Sequence, residues 1–383
     1  MTAVNAVDTC CDQAGEAAPH FAVAPWRERM PADDEWDALA LDASEPNPFF
    51  ERWFLTPSLA SFDPDGRVVL AQLRVDGRLV GLAPLGRPGH YYARPLPHLS
   101  LWLHANAFCG VPLIAHGFET LFWSSLLGWA DRQPGMAAFF HLPGMPEDCA
   151  PVHALTALAT QAHRGHAVVE GEARALLASD MSPEDYFAQS LSTKKRKELR
   201  RQERRLAEHG ALEVVRTTDP VQVSRWADDY LTLEAASWKS RAGSALADSP
   251  AHAQFFRESL SGAAAQRRFE GLALHLDGRP IAMLATFLTP PGAFSFKTVY
   301  DESFARYSPG VLLQKENLDL LAREDVAWCD SCAAPDHPMI DHFWRGQRSM
   351  VALNLAIGGQ ARRALGKSLI AFESRRFHRS SAE

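Results

Sequence analysis

Side chains that can accept or donate a proton are grouped in the second half of the chain. Asp330, Asp336 and His337 fall within DSCAAPDH, which ends a strand-like run, and Glu234 falls in a helical run, EAASWK. A carboxylate or an imidazole beside a reacting group can remove a proton from it, and imidazole does so near neutral pH. These four are therefore candidate catalytic residues, although Asp336, which is flanked by prolines, also fits a turn with His337 at the surface.

A turn that could bind phosphate precedes a helical run near residue 310. The segment ESFARYSPG places Pro309 and Gly310 at a helix start, where free backbone N–H groups bind anions, and Arg306 adds a positive charge. An ordinary capped helix would show the same residues. The candidate phosphate-binding residues are Arg306, Tyr307, Ser308, Gly310, Val311 and Lys315.

One spacing resembles a zinc site. Cys329, Cys332, His337 and His342 follow the pattern C-x2-C-x4-H-x4-H. The two cysteines lie in VAWCDSCA, which has the composition of a strand, and residues three apart on a strand point to opposite faces. The cysteines would then not converge on one ion, so we expect no metal site.

A strongly basic helical segment begins at Lys194 and ends at Arg205, with eight Lys or Arg against two Glu. Leu199 and Leu206, one heptad apart, leave only a narrow seam for packing, so most of this helix faces water. The segment fits coenzyme A phosphates, an acidic carrier protein, an anionic membrane surface or an RNA backbone, and also a plain solvated face.

Composition restricts the class of protein. The 383 residues carry a net charge of −7 with 46% hydrophobic residues, which predicts two globular domains and argues against a surface committed to nucleic acid. No run approaches the ~18 apolar residues of a membrane span, and the first residues lack a secretory signal pattern. Six Cys are too few for a disulfide framework. We expect a cytoplasmic protein, with peripheral contact at the inner membrane through the basic segment as an alternative.

Two hairpin-like segments share one design. They are LAQLRVDGRLVGLAPL at 70–85 and LALHLDGRPIAMLATF at 272–287, and in each the Asp-Gly pair supplies the positive φ angles of a tight turn. Each hairpin follows a helical run that contains Trp and precedes a strand, a helix and a further strand. The repeat predicts an α/β (α+β) fold of two related domains, each a mixed central sheet flanked by helices, at 26–178 and 179–383 after a flexible segment at 1–25.

The second half resembles GNAT acyltransferases, and two such domains in tandem are similar to the Fem-type and CelD-like groups. The segments that carry the resemblance are KKRKELRRQERRLAEHG, EAASWKSRAG, FKTVYDESFARYSPGVLLQKENLDLL and DSCAAPDHPMIDHFW, between residues 194 and 344. The resemblance implies a cleft where the central strands part, with acyl-CoA or an acyl carrier protein as co-substrate and its pyrophosphate at the turn before Gly310. The family loop usually carries two glycines after a basic residue, whereas this one has Gly310 alone.

The resemblance also implies an acceptor side and a reaction. We assign substrate binding to Trp238, Lys239 and Tyr300, and to His104 in a polar break of the first half. The expected reaction is N-acyl transfer of groups other than aminoacyl, and the many Phe and Trp suggest a lipophilic acceptor, as in bacterial ceramide synthases that acylate a long-chain sphingoid base. The alternatives are Fem-type aminoacyl transfer to a cell-wall precursor, acetylation of a polysaccharide, and a non-catalytic GNAT-like scaffold.

Overall fold

The computed structural model describes residues 19–241, 243, 245–335, 340 and 343–380. These residues form one mixed sheet flanked by helices, which confirms the predicted fold class. The strands are β1 (His20–Pro25), β2 (Val69–Val75), β3 (Arg78–Gly86), β4 (Leu99–Leu101), β5 (Leu113–Ile114), β6 (Phe139–Pro146), β7 (His166–Leu177), β8 (Leu212–Thr217), β9 (Phe269–Leu276), β10 (Arg279–Thr289), β11 (Gly292–Tyr300), β12 (Trp328–Asp330) and β13 (Gly346–Ala356).

Helices lie between the strands in both halves of the chain. They are α1 (Asp33–Leu41), α2 (Arg52–Phe62), α3 (Glu119–Arg132), α4 (Ala150–Gln161), α5 (Pro183–Ser190), α6 (Thr193–Ala207), α7 (Pro220–Ala235), α8 (Trp238–Arg241), α9 (Pro250–Ala265), α10 (Pro309–Glu316) and α11 (Gln360–Ser380). Short 3-10 turns occupy Pro48–Phe50, Leu246–Asp248, Glu302–Tyr307 and Asn317–Ala322. Within the described residues, no helix is long and apolar enough to cross a membrane.

Both predicted hairpins are confirmed. The turn between β2 and β3 has φ angles of 52° at Asp76 and 79° at Gly77, and the turn between β9 and β10 has 50° at Asp277 and 75° at Gly278. Two successive positive φ angles are the geometry for which Asp-Gly is suited, and their twist matches that of the flanking strands. The two Asp-Gly pairs therefore set the register of equivalent hairpins in the two halves.

The strand order is the same in each half of the sheet. One unit runs β1-β2-β3-β4-β6-β13 and the other β8-β9-β10-β11-β12-β7, and each has three antiparallel pairings, one parallel pairing and one more antiparallel pairing. The sixth strand of each unit comes from the other half of the chain, and β7 pairs with β13 to join the units. Each unit is thus completed by a strand of its neighbour.

The two units also share one hydrophobic core. Helix α2 of the first unit packs against α9 of the second. The ring of Phe49 meets Phe294 of β11 edge-on at 5.7 Å, and Phe54 meets Phe255 of α9 at 5.2 Å. Because the core is continuous, loops of the first unit are held in fixed positions against the second.

Two predicted segment boundaries have the following positions in the described structure. The segment 1–25, which we expect to be flexible, contains strand β1. Its backbone pairs with β2 from His20 to Pro25, so these six residues are ordered in the sheet. The first described residue is 19, so residues 1–18 lie outside the described part of the chain. The predicted boundary at 178–179 falls between β7 and α5.

Candidate active site

The sheet opens between β11 and β12. These parallel strands pair at three positions, from Gly292 with Trp328 to Phe294 with Asp330, and β12 then ends while β11 continues to Tyr300. Gly292 permits the paired end, because a Cβ there would lie 2.5 Å from the Trp328 ring. The strands therefore part at their carboxyl ends, where ligands bind in open α/β sheets.

A cavity of about 400 Å³ fills this gap. Its walls are the free end of β11, the segment after β12, the start of α8 and one side chain from the first unit. The lining residues are Phe108, Ser237, Lys239, Ser295, Phe296, Lys297, Thr298, Val299, Tyr300, Ser331, Cys332, Ala333 and Ile340.

A β-bulge in β11 sets which side chains face the cavity. The partner of Ala285 on β10 is Lys297, and the partner of Thr286 is Ser295, so Phe296 is the extra residue. A bulge re-aims the side chains on either side of it. Phe296 packs into the core, with its ring 4.6 Å from Phe287, while the chain on both sides of it borders the cavity.

Lys297 is the most perturbed cation of the cavity. Its Nζ lies 5.3 Å from the centre of the Phe108 ring and 5.6 Å from that of Phe296, and it forms no ion pair in the described part of the chain. Burial, with the neighbouring charge of Lys239, lowers the pKa of Lys297 to about 8 from its ordinary 10.5. The cavity therefore holds a cation suited to a negatively charged group.

Glu234 and Lys239 form a pair at the edge of the cavity. The Nζ of Lys239 lies 3.4 Å from one carboxylate oxygen of Glu234 and donates a hydrogen bond of 2.7 Å to the Thr298 carbonyl of β11. The other oxygen of Glu234, a buried residue of α7, accepts the Leu246 N–H at 2.8 Å. Burial lowers the pKa of Lys239, and Glu234 opposes that effect. Glu234 thus fixes Lys239 against the cavity wall.

Asp330 is fully buried behind the cavity. The two residues that follow it in the chain, Ser331 and Cys332, line the cavity. One Asp330 oxygen accepts the Cys332 N–H at 2.8 Å, and the other lies 3.6 Å from Arg174 and 3.8 Å from Arg348. Cys332 adopts a left-handed φ of 52°, which is uncommon for a residue other than glycine. The carboxylate therefore holds the chain in the bend that shapes this wall.

The equivalent gap of the first unit is closed. Strands β4 and β6 pair at two positions, and the following loop then crosses the gap, with Gly110 N–H donating to the Gly144 carbonyl at 2.8 Å. A Cβ on Gly110 would lie 2.0 Å from the Pro143 carbonyl oxygen, so only glycine fits. Phe108, on the same loop, lines the cavity of the second unit. The loop that fills the gap between β4 and β6 therefore also contributes a wall of the cavity between β11 and β12.

The predicted phosphate-binding turn lies just beyond the cavity. Tyr300 lines the cavity, and the chain then forms the 3-10 turn Glu302–Tyr307 and enters α10. Of the predicted set, Arg306 is exposed, Gly310 is buried and Val311 is half-buried. The Tyr307 hydroxyl lies 2.6 Å from His209 Nε2, Ser308 caps α10 in a left-handed conformation, and Lys315 lies 3.4 Å from Glu203.

The other predicted site residues have different positions. Asp336 and His337 lie outside the described residues, after the cavity segment 331–333. Trp238 is the first residue of α8, and the Trp238 side chain is also outside the described part of the structure. His104 stacks on Phe62 at 4.1 Å within an aromatic cluster and does not line the cavity, and burial lowers its pKa to about 3.

Sequence reasoning missed several lining residues. Lys297 stands in the segment FKTVYD that carries the family resemblance, but a bulge has no clear sequence signal. Phe108 comes from the other half of the chain. The strand predicted through Cys332 is too long, because β12 ends at Asp330. Cys332 therefore lines the cavity, whereas Cys329 is buried against Ser295 at 3.7 Å.

Comparison with known proteins agrees with this geometry. Residues 193–337 match the family model described as acetyltransferase (GNAT) domain. The crystal structure of FemX aligns with a TM-score of 0.54 at 10% identity, over 85% of this chain and 96% of that chain. A conserved protein of unknown function from Bacteroides thetaiotaomicron VPI-5482 aligns with a TM-score of 0.55 at 11% identity, over 85% and 98%. No curated protein matched the sequence.

These similarities locate the GNAT-type part of the chain. The two structures share the fold of this chain, and the family model covers α6 and β8 to β12, which include the parted strands. Residues 193–337 thus match a GNAT-type acetyltransferase domain. Strand β7, which completes the second unit, lies outside the matched residues.

Proposed function

We propose that the protein is an N-acyltransferase that moves an acyl group from a pantetheine thioester to a primary amine in the cavity between β11 and β12. The observation that carries the proposal is this cavity, which lies in the GNAT-type part of the chain and holds Lys297. GNAT domains generally use acyl-CoA, which makes acyl-CoA the first donor to test.

Attack of an amine on a thioester places negative charge on the carbonyl oxygen before the thiolate leaves. A fixed positive charge in a cavity of low dielectric stabilises that oxygen more strongly than water does. Lys297 meets this need, since it is half-buried and its pKa of about 8 leaves it mostly protonated at neutral pH. We assign the stabilisation of the tetrahedral intermediate to its ammonium group.

The attacking amine must lose a proton. For this step we propose His337 and Asp336, which follow the cavity segment 331–333 in the chain. Glu234 and Asp330 would act as positioning residues, because their carboxylates are engaged with Lys239 and with the Cys332 N–H. In this proposal Lys239 and Tyr300 contact the acceptor at the cavity edge, near Trp238.

We propose that the thioester donor lies along the end of β11, with its phosphates toward Arg306 and the start of α10. The turn from Arg306 to Gly310 continues directly from a strand that lines the cavity. Backbone N–H groups at a helix start favour phosphate. Pro309 has no N–H and the Val311 N–H donates to the Ser308 carbonyl at 2.9 Å, so we assign the phosphate contacts to the Gly310 N–H and the Arg306 side chain. Val311 and Lys315 would complete this subsite.

The acceptor and the acyl chain are finer parts of the proposal. A long-chain sphingoid base, giving a ceramide, stays the prediction drawn from the sequence. Aminoacyl transfer is a competing possibility, since the likeness to FemX establishes the fold and excludes no acyl group. Polysaccharide acetylation and a non-catalytic scaffold are the remaining alternatives.

The test is direct. Purified protein is incubated with acetyl-CoA or palmitoyl-CoA and with sphinganine, glucosamine or a lysine peptide, and free thiol and amide product are measured together. Lys297→Met should lower the rate of product formation by roughly 100- to 1000-fold, whereas Lys367→Met, which changes an exposed lysine of α11, should leave it unchanged. A parallel arm with charged tRNA, with and without RNase, detects aminoacyl transfer. Absence of any amide with every donor would overturn the proposal in favour of a scaffold.

A further inference from the structure

Helix α6 has one buried seam, which fixes its orientation. Leu199 and Leu206 are buried and belong to a core cluster with Tyr307, Leu312 and Leu313. The helix begins at a cap in which the Ser192 hydroxyl accepts the Lys195 N–H at 3.3 Å. The opposite side of the helix therefore faces away from the protein.

That outer side is a ridge of cations. At 3.6 residues per turn, six exposed basic residues lie on the side opposite the leucine seam, over about 16 Å along the helix axis. In the described part of the chain, Arg201 alone among them has a carboxylate partner, Glu198. We call these residues the basic ridge: Lys194, Lys197, Arg200, Arg201, Arg204 and Arg205.

Helix α6, which carries the basic ridge, packs against the turn that leads out of the cavity. From the inner side of α6, Gln202 donates a hydrogen bond of 3.3 Å to the Arg306 carbonyl, and Glu203 pairs with Lys315 of α10. Arg306 is itself exposed and extends the positive surface to the turn. A partner on the ridge would thus bind close to the turn where we propose that the phosphates of the donor lie.

The charge of the rest of the chain restricts the size of that partner. The whole chain carries −7 and α6 carries eight cations against two glutamates, a net +6, so the remaining residues carry −13. Because the chain outside α6 is acidic on balance, the attraction for a membrane plane or a long RNA would depend on the ridge alone. In addition, α6 exposes no aromatic side chain for base stacking, and Ala207 is its one exposed apolar residue, too small to anchor it in a bilayer.

A compact acidic protein meets these conditions, because it can cover the ridge alone. We propose that the basic ridge docks a small acidic carrier protein that presents the acyl group as a pantetheine thioester to the cavity. The inference rests on the proposed function, and it names the carrier-bound thioester rather than free acyl-CoA as the donor. Electrostatic attraction between complementary surfaces of this kind raises the association rate, and added salt weakens that attraction.

The test compares two donors that bear the same acyl group. Palmitoyl thioester is supplied either on coenzyme A or on a small acidic acyl carrier protein, and kcat/KM is measured for wild type, Arg200→Glu/Arg204→Glu and the control Arg29→Glu/Lys367→Glu. Both variants change the net charge by the same amount at exposed positions. The ridge variant should lose at least tenfold in kcat/KM with the carrier donor and less than threefold with the CoA donor, and the control should change neither.

Binding of the unacylated carrier protein, measured by calorimetry at low salt and at high salt, separates this inference from the proposed function. Salt-sensitive binding that the ridge variant loses supports docking even where no transfer is seen. Equal losses with both donors, or carrier binding that the ridge variant retains, would overturn it. Preferential binding of wild type to anionic vesicles or to tRNA over the carrier would also overturn it.

Discussion

Replacement of Lys297 by methionine should make the protein more stable and less active at once. Methionine keeps an unbranched chain of similar size but carries no charge. Burial lowers the pKa of Lys297 from 10.5 to about 8, and each unit corresponds to about 1.4 kcal/mol, so holding the ammonium in the folded protein costs about 3 kcal/mol at pH 7. Lys297→Met should raise the free energy of unfolding by up to about that amount.

The pH dependence gives this effect a sign. The pKa of Lys297 is lower in the folded than in the unfolded protein, so burial of its charge lowers the free energy of unfolding of wild type by the full amount below pH 8. This destabilisation disappears as the pH rises toward 10.5. Urea unfolding of both proteins at pH 7 and at pH 10 should show a stability gap that narrows at the higher pH. The exposed control, Lys367→Met, should show little gap at either.

Activity should move in the opposite direction. Loss of one group that stabilises the oxyanion lowers kcat by roughly 100- to 1000-fold. Thiol release from acyl-CoA in the presence of an accepted amine measures this for the same preparations. A variant that is less stable than wild type at pH 7 would show that the Lys297 ammonium is not destabilised by burial, and one that is more stable but keeps full activity would show that Lys297 does not stabilise the oxyanion.

Three further substitutions test other parts of the account. Glu234→Gln leaves Lys239 buried without its counter-charge and should cost about 3 kcal/mol in urea unfolding, and an unchanged midpoint would contradict the role given to the pair. Gly110→Ala places a Cβ against the Pro143 carbonyl and should cost at least about 2 kcal/mol, whereas a tolerated alanine would show that the first gap is open. Burial holds the folded-state pKa of His104 near 3, so wild type loses stability as the pH falls below 6.5. The free energy of unfolding of His104→Phe should therefore gain about 2 kcal/mol on that of wild type between pH 7 and pH 5. A constant difference across this range would argue against a buried neutral imidazole.

Local sequence patterns predicted the elements of the fold well. The two Asp-Gly turns identified both hairpins, because Asp-Gly is chosen by backbone geometry that depends on adjacent residues alone. The exchange of β7 and β13 could not be predicted in this way, since it depends on pairing between residues far apart in the chain. Hydrophobic alternation shows that a strand exists but not which neighbour it joins.

The candidate site was only partly accessible from sequence for the same reason. Lys239 and Tyr300 were predicted and line the cavity, whereas Lys297 reaches it through a bulge and Phe108 through a loop of the other unit. The pattern also gave no indication that one of two similar gaps would be filled. That depends on Gly110, whose missing side chain lets the loop approach Pro143.

A crystal structure of the protein with a non-transferable acyl-CoA analogue would show where the donor binds. We expect pantetheine density between β11 and β12, with the acyl carbonyl beside Lys297 and the phosphates toward Arg306 and Gly310. Density in the first unit or elsewhere on the surface, with the cavity between β11 and β12 unchanged, would contradict this expectation.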